Sequence, residues 1–208
     1  MMSMRIDSGP SLLNSEVKAF FMDWITVHED TFQFSYQDST GIIGTEYWGP
    51  GLRLAPSSAG VWLAHDGLPA QVRHLFLSHS AADILCFCQL KPEWMKETGD
   101  VAFAGLGLLA NDTQVKCLIE RYANAKMHTI FDSGLIGRVS DCKVALWKCG
   151  RDATFKVVDD YVLIQYRHKR CSIPGAMFSL NHFEKTIGIR SGIRSHKPRG
   201  VFESSRNI

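Results

Sequence analysis

What this sequence lacks narrows it first. No apolar run approaches the ~20 residues that span a bilayer, so neither a transmembrane helix nor a membrane partner is expected. The opening "MMSMRIDSGP" has no apolar stretch of the kind a secretory signal needs, and a cytoplasmic chain is the expectation. Six cysteines occur without one C-x-x-C pair. Most fall within apolar patterns, so buried reduced thiols are expected rather than a disulfide framework. There is no G-x-x-x-x-G-K-[ST], no H-E-x-x-H and no G-x-S-x-G, which sets aside P-loop, zincin and α/β-hydrolase chemistry. The pair Gly105 and Gly107 lacks the third glycine and the later acidic residue of a dinucleotide site, and reads as a turn.

What is present is ordinary in amount and uneven in distribution. The 208 residues are 45% hydrophobic and 21% charged, enough to bury a substantial core. The net charge of +2 conceals two halves of opposite sign. Residues 1–147 hold 11 Lys and Arg against 16 Asp and Glu, a balance of −5. Residues 148–208 hold 12 against 5, a balance of +7. A basic end on a mildly acidic body points to an anionic partner, with nucleic acid the commonest. A solvated terminus is the plainer alternative for residues 190–208.

Periodicity divides the chain in three. Val17, Phe20, Phe21, Trp24 and Ile25 form one helical stripe, with Ser15 as a plausible cap. Phe32, Phe34 and Tyr36 alternate with polar residues, "QDSTG" supplies a turn and "IIGTEYWG" a returning strand. From residue 73 the pattern becomes strand–helix alternation. "RHLFLSH", "DVAFAG" and "KMHTIFD" read as strands, each followed by a helical segment, and Asn111 or Asp112 caps the second helix. Such alternation predicts a parallel sheet with right-handed crossovers. After Gly150, "ATFKVVDDYVLIQYRHKRCSI" predicts a hairpin around Asp159–Asp160, and Ser179 begins a short helix. The expected organisation is 1–72 helix and hairpin, 73–150 α/β core, and 151–208 hairpin, short helix and basic tail.

Ligands of an open parallel sheet bind beyond the carboxyl ends of its strands. Those ends fall at "HSAAD", "AGLGLL" and "FDSGLIGR". This order of segments resembles the Toprim family, whose marks are E-G-x-x-D after the first strand, a Gly-rich turn after the second and D-x-D-x-x-G-R after the third. His79 stands at the family's glutamate, Ser80 at its glycine, and Asp83 at the later carboxylate of the first motif. Gly105 and Gly107 match the turn. Asp132 matches the first aspartate of the third motif, Gly134 replaces the second, and Gly137 and Arg138 match the closing pair. The upstream hairpin is similar to the one preceding Toprim in plasmid- and phage-type primases, so the likeness covers roughly residues 30–150.

The resemblance implies a Toprim-like (Rossmann-like), mostly parallel sheet flanked by helices. An N-terminal helix plus β-hairpin and a C-terminal β-hairpin extension would complete it. It also implies a role in DNA replication or mobilisation on a plasmid or other mobile element, beside other proteins of that machinery. Catalysis would fall to His79, Asp83 and Asp132, with Mg²⁺ or Mn²⁺ held by Asp132 and Asp83. With His79 and Gly134 in place of acidic residues, Asp132 is the carboxylate left at the strand ends, with Asp83 in support, and a single carboxylate makes a poor magnesium cradle. Three roles are open to His79: a substitute acid/base, a ligand to a softer metal with Asp132 and His128, or a tolerated side chain at an inactive site. The last is favoured, and with it binding over turnover. The alternatives are an active, divergent metal-dependent primase or nuclease, and a protein-interaction adaptor. Asp132 also suits a helix cap, and Asp83 faces solvent or Arg138. Arg138, Arg167, Lys169, Arg170, Arg190, Arg194, Lys197 and Arg199 are the candidate nucleic-acid contacts, with DNA favoured. Tyr161, Tyr166 and Phe178 offer rings for stacking, although core positions for Tyr161 and Phe178 are the simpler expectation.

Overall fold

A computed structural model describes residues 9–57, 59–96 and 99–197. The chain opens with helix α1 (Ser15–Phe21), capped by Asn14, one residue before the expected Ser15; its side chain accepts from the Val17 amide at 2.8 Å. An antiparallel sheet follows, β1 (Thr26–His28), β2 (Thr31–Asp38), β3 (Gly41–Gly49) and β4 (Leu52–Leu54), in that order. Phe32, Phe34 and Tyr36 are buried as their alternation predicts.

The next elements are β5 (Trp62–Ala64), β6 (His74–Ser78), α2 (Ala81–Leu90), β7 (Val101–Gly105), α3 (Asp112–Arg121), β8 (Lys126–Thr129) and α4 (Leu135–Lys148). Beyond them lie β9 (Thr154–Val158), β10 (Tyr161–Tyr166), β11 (Lys169–Pro174), α5 (Leu180–Ile187) and β12 (Arg194–Ser195). The central sheet runs β12-β8-β6-β7-β5. β12, β8, β6 and β7 pair in parallel, whereas β5 lies antiparallel on β7. Every residue of β7 is buried, as in a sheet covered on both faces.

The expected mostly parallel, Toprim-like sheet is not what the chain forms. Among the described residues two of the three sheets are wholly antiparallel and the third is mixed. Six strand pairings are antiparallel and three parallel. The reason lies in the connections. Parallel neighbours need a long crossover, and helices supply one from β6 to β7 and from β7 to β8. β1 to β4 and β9 to β11 are joined by turns of two residues, which can link only antiparallel neighbours. The C-terminal hairpin is likewise a three-stranded meander: the chain turns again at Arg167–His168 and returns as β11.

Three apolar clusters hold these layers. Phe76 and Phe103 point to the side carrying α1, α2 and the first sheet, packed with Phe21, Phe34 and Trp62. Leu75, Leu77 and Ala104 point to the other side, against Val115 and Leu118 of α3, Tyr122 just beyond it, and Val144 of α4. The third cluster joins β10 through Val162 and Ile164 to Leu146 of α4 and Phe183 of α5. Among the described residues no helix is long and apolar enough to cross a membrane.

Candidate functional site

The strand-end rim is built by the segments that leave β6, β7 and β8. Ser78 Oγ donates to the Ile130 carbonyl at 3.1 Å and ties two of these ends together. His79 follows, almost wholly buried, its ring 4.3 Å from that of Phe131 and its Nε2 2.9 Å from Ser140 Oγ of α4. Ser80 caps α2 by accepting from the Asp83 amide. Two glycines of the motif positions are required by close approach. A Cβ on Gly105 would stand 2.6 Å from the Tyr36 hydroxyl, and one on Gly137 2.2 Å from the Asp132 carbonyl oxygen.

Beneath the rim lies a carboxylate that the motif comparison missed. Glu46 of β3 is fully buried and accepts from the Tyr36 hydroxyl at 2.6 Å and the Ala81 and Ala82 amides at 2.8 and 3.2 Å, besides the Ser80 hydroxyl. It closes the first turn of α2. Burial raises its pKa, and the bonds from Ser80, Tyr36, Ala81 and Ala82 oppose that rise. The signal was in the alternation: Trp48 faces inward, so Glu46, two residues away, shares its apolar face.

Asp83, Asp132 and Asp141 are each engaged. Asp83 pairs with Arg53 of β4, not with Arg138. Asp132 accepts from the Gly134 amide at 2.8 Å, closing the turn before α4. Asp141 of α4 is buried and accepts from Thr129 Oγ1 at 2.7 Å, Ser195 Oγ at 3.0 Å and Lys197 Nζ at 2.6 Å. Burial raises its pKa and Lys197 counteracts the rise. His128 is turned elsewhere: its Nε2 lies 3.0 Å from His74 Nδ1 and its Nδ1 2.9 Å from His196 Nε2, beneath a stacked Phe76. Burial pushes the Cys86 thiol up to about 12, so it is no thiolate near neutral pH. Among the described residues no group of three His, Cys, Asp or Glu side chains is arranged to hold a metal ion. The Asp132 and Asp83 side chains therefore do not fit the Mg²⁺ or Mn²⁺ that the family resemblance implies: one closes a turn and the other holds an arginine.

The basic residues divide by where their charge is spent. Arg138 is part-buried and donates through Nη1 to the carbonyls of Gly175 and Phe178, clamping α4 to the segment between β11 and α5. Lys197 reaches the buried Asp141 and the carbonyls of Phe131 and Asp132. Arg167, Lys169 and Arg170 are exposed at the β10–β11 turn, and among the described residues none of them makes an ion pair. Arg190 and Arg194 are exposed as well. Arg199 lies outside the described residues. Of the rings, Phe178 and Tyr166 are buried, while Tyr161 is 48% exposed. Compared with known protein families, curated proteins and solved structures, the chain matches none.

Proposed function

We propose that the protein is a cytoplasmic nucleic-acid-binding protein that acts by binding rather than by turnover. The observation that carries this reading is the cluster of Arg167, Lys169 and Arg170 on one exposed turn without carboxylate partners among the described residues. Cations left unpaired on a surface are available to phosphates, which bind protein largely through charge. The acidic groups at the rim support binding over metal-assisted chemistry, because each is committed to a cap, a turn or an ion pair.

The test is fluorescence anisotropy with labelled DNA at two salt concentrations. Contact through three or four cations predicts a log–log salt slope of roughly −2 to −4, depending on whether the polymer is single- or double-stranded. Combined reversal of Arg167, Lys169 and Arg170 to glutamate should abolish most of the affinity. Binding that ignores both salt and the triple reversal would overturn the proposal.

A further inference from the structure

The turn that carries these cations is one end of a sheet whose outer face has no layer over it among the described residues. Along β10, Val162 and Ile164 point inward against α4 and α5. The residues between them point outward. Register places Val158 beside Tyr161, Lys156 beside Leu163, and Arg170 beside Gln165, in three successive rows. Tyr161 is 48% and Leu163 39% exposed, and with Val158 beside Tyr161 they make a contiguous apolar strip on this face. Arg170 is held in place: its Nε donates to Gln165 Oε1 at 2.6 Å, and Gln165 donates in turn to the Arg167 carbonyl. The face thus has a π surface at one end and a fixed guanidinium at the other.

Resting on the nucleic-acid reading above, we infer that the outer face of β9–β11 binds single-stranded nucleic acid, with a base stacked on Tyr161 and phosphates along Lys156, Arg170 and the Arg167 turn. Charge sets the polarity. Asp159 and Asp160 form the turn beside Tyr161 and repel phosphates there, while Arg170, in the row of Gln165, attracts them about four residues, or ~13 Å, away, and the basic turn lies about two residues further on. A duplex offers phosphates and groove edges but no free base face, so a half-exposed ring on a flat sheet has nothing to stack on. A single strand offers both, and aromatic platforms flanked by cations are the general solution to holding one.

The experiment compares a fluorescein-labelled oligo-dT of about 20 nucleotides with a duplex of equal length, using the full chain. The single strand should bind more tightly. Tyr161→Ala should weaken it about tenfold and leave the duplex unchanged, and Tyr161→Phe should retain binding because the π face remains. Ultraviolet crosslinking of bound oligo-dT, mapped by mass spectrometry, should place the adduct on β10; this reads the wild-type chain and does not depend on the variant folding. If the triple reversal at residues 167, 169 and 170 abolishes binding while Tyr161→Ala changes nothing, or if adducts fall only elsewhere, the face is overturned and nucleic-acid binding stands. If neither probe binds at low salt, both fall.

Discussion

Acidifying the solution asks His128 to take up a proton in a place without water. Its ring is fully buried, stacked 4.4 Å from Phe76, with Trp94 alongside and a histidine at each nitrogen. Burial, then His196 and His74, pushes its pKa down to about 3, and Arg194 and Lys126 add to the effect. An unfolded histidine titrates near 6.5. Above pH ~6.5 neither state holds the proton and the stabilisation is complete. Below it the unfolded chain gains a proton that the folded ring refuses. Stability then falls by about 1.4 kcal/mol per pH unit, until the folded ring also protonates near 3. At pH ~5 the loss from this one group is about 2 kcal/mol, a large part of the ~5–15 kcal/mol that holds a domain together.

Other groups titrate in the same window. His196, lowered by burial and by Lys91 and Arg194, adds a loss of the same sign. Glu46 and Asp141 act in the opposite sense, because burial raises both carboxyls and the folded state keeps protons that the unfolded chain releases. The quantity to measure is therefore a difference. Urea denaturation followed by tryptophan fluorescence, at pH ~7.5 and ~5, should show wild type losing about 2 kcal/mol more than His128→Phe over that interval. The His128 ring resonances should keep their neutral positions down to pH ~5. A difference constant to within about 0.5 kcal/mol, or a ring titrating near its ordinary value, would refute the reasoning.

Two substitutions probe the buried carboxylates. Glu46→Gln sets an amide N–H against donors that now meet an oxygen, and should cost about 2–3 kcal/mol in urea denaturation; a cost under about 0.5 would show that the carboxylate is not what closes α2. Lys197→Met should destabilise by a similar amount by leaving Asp141 without its cation, and adding Asp141→Asn should recover most of the loss; additive effects in that double-mutant cycle would deny the pairing.

Some local signals were legible. Asn111, one of two caps expected for its helix, caps α3 in a reciprocal box with Gln114, whereas Ser80, which caps α2, was matched only to a motif glycine. The three strands of the strand–helix alternation appear as β6, β7 and β8, parallel to one another. What was underestimated is the antiparallel share: the hairpins expected at the two ends grow into sheets of four and three strands, and β5 joins the central sheet antiparallel to β7. β11 escaped notice because its turn carries no glycine: Arg167 itself adopts φ 53, a conformation that sequence assigns to Gly or Asn. β12 was invisible for another reason. Two residues of "GIRS" pair with β8 because Lys197 and His196, just beyond them, find Asp141 and His128. Nothing within the tetrapeptide announces that.

The charge of residues 148–208 illustrates why a count along the chain is a poor map of a surface. Lys197 and Arg190 enter the sum alike, yet one neutralises a buried aspartate while the other is exposed. Arg138, counted with the acidic half, spends its guanidinium on two carbonyls. Removing residues 190–208 would therefore strip β12 from the sheet edge, take Ser195 and Lys197 from Asp141 and His196 from His128, and mix lost fold with lost charge. A cut after Lys197 removes Arg199 and Arg206 and keeps those contacts. The cations that distinguish a binding surface from a structural one are those to which the fold supplies no carboxylate, and among the described residues the β10–β11 turn concentrates three of them, with Lys156 in the row beside Leu163.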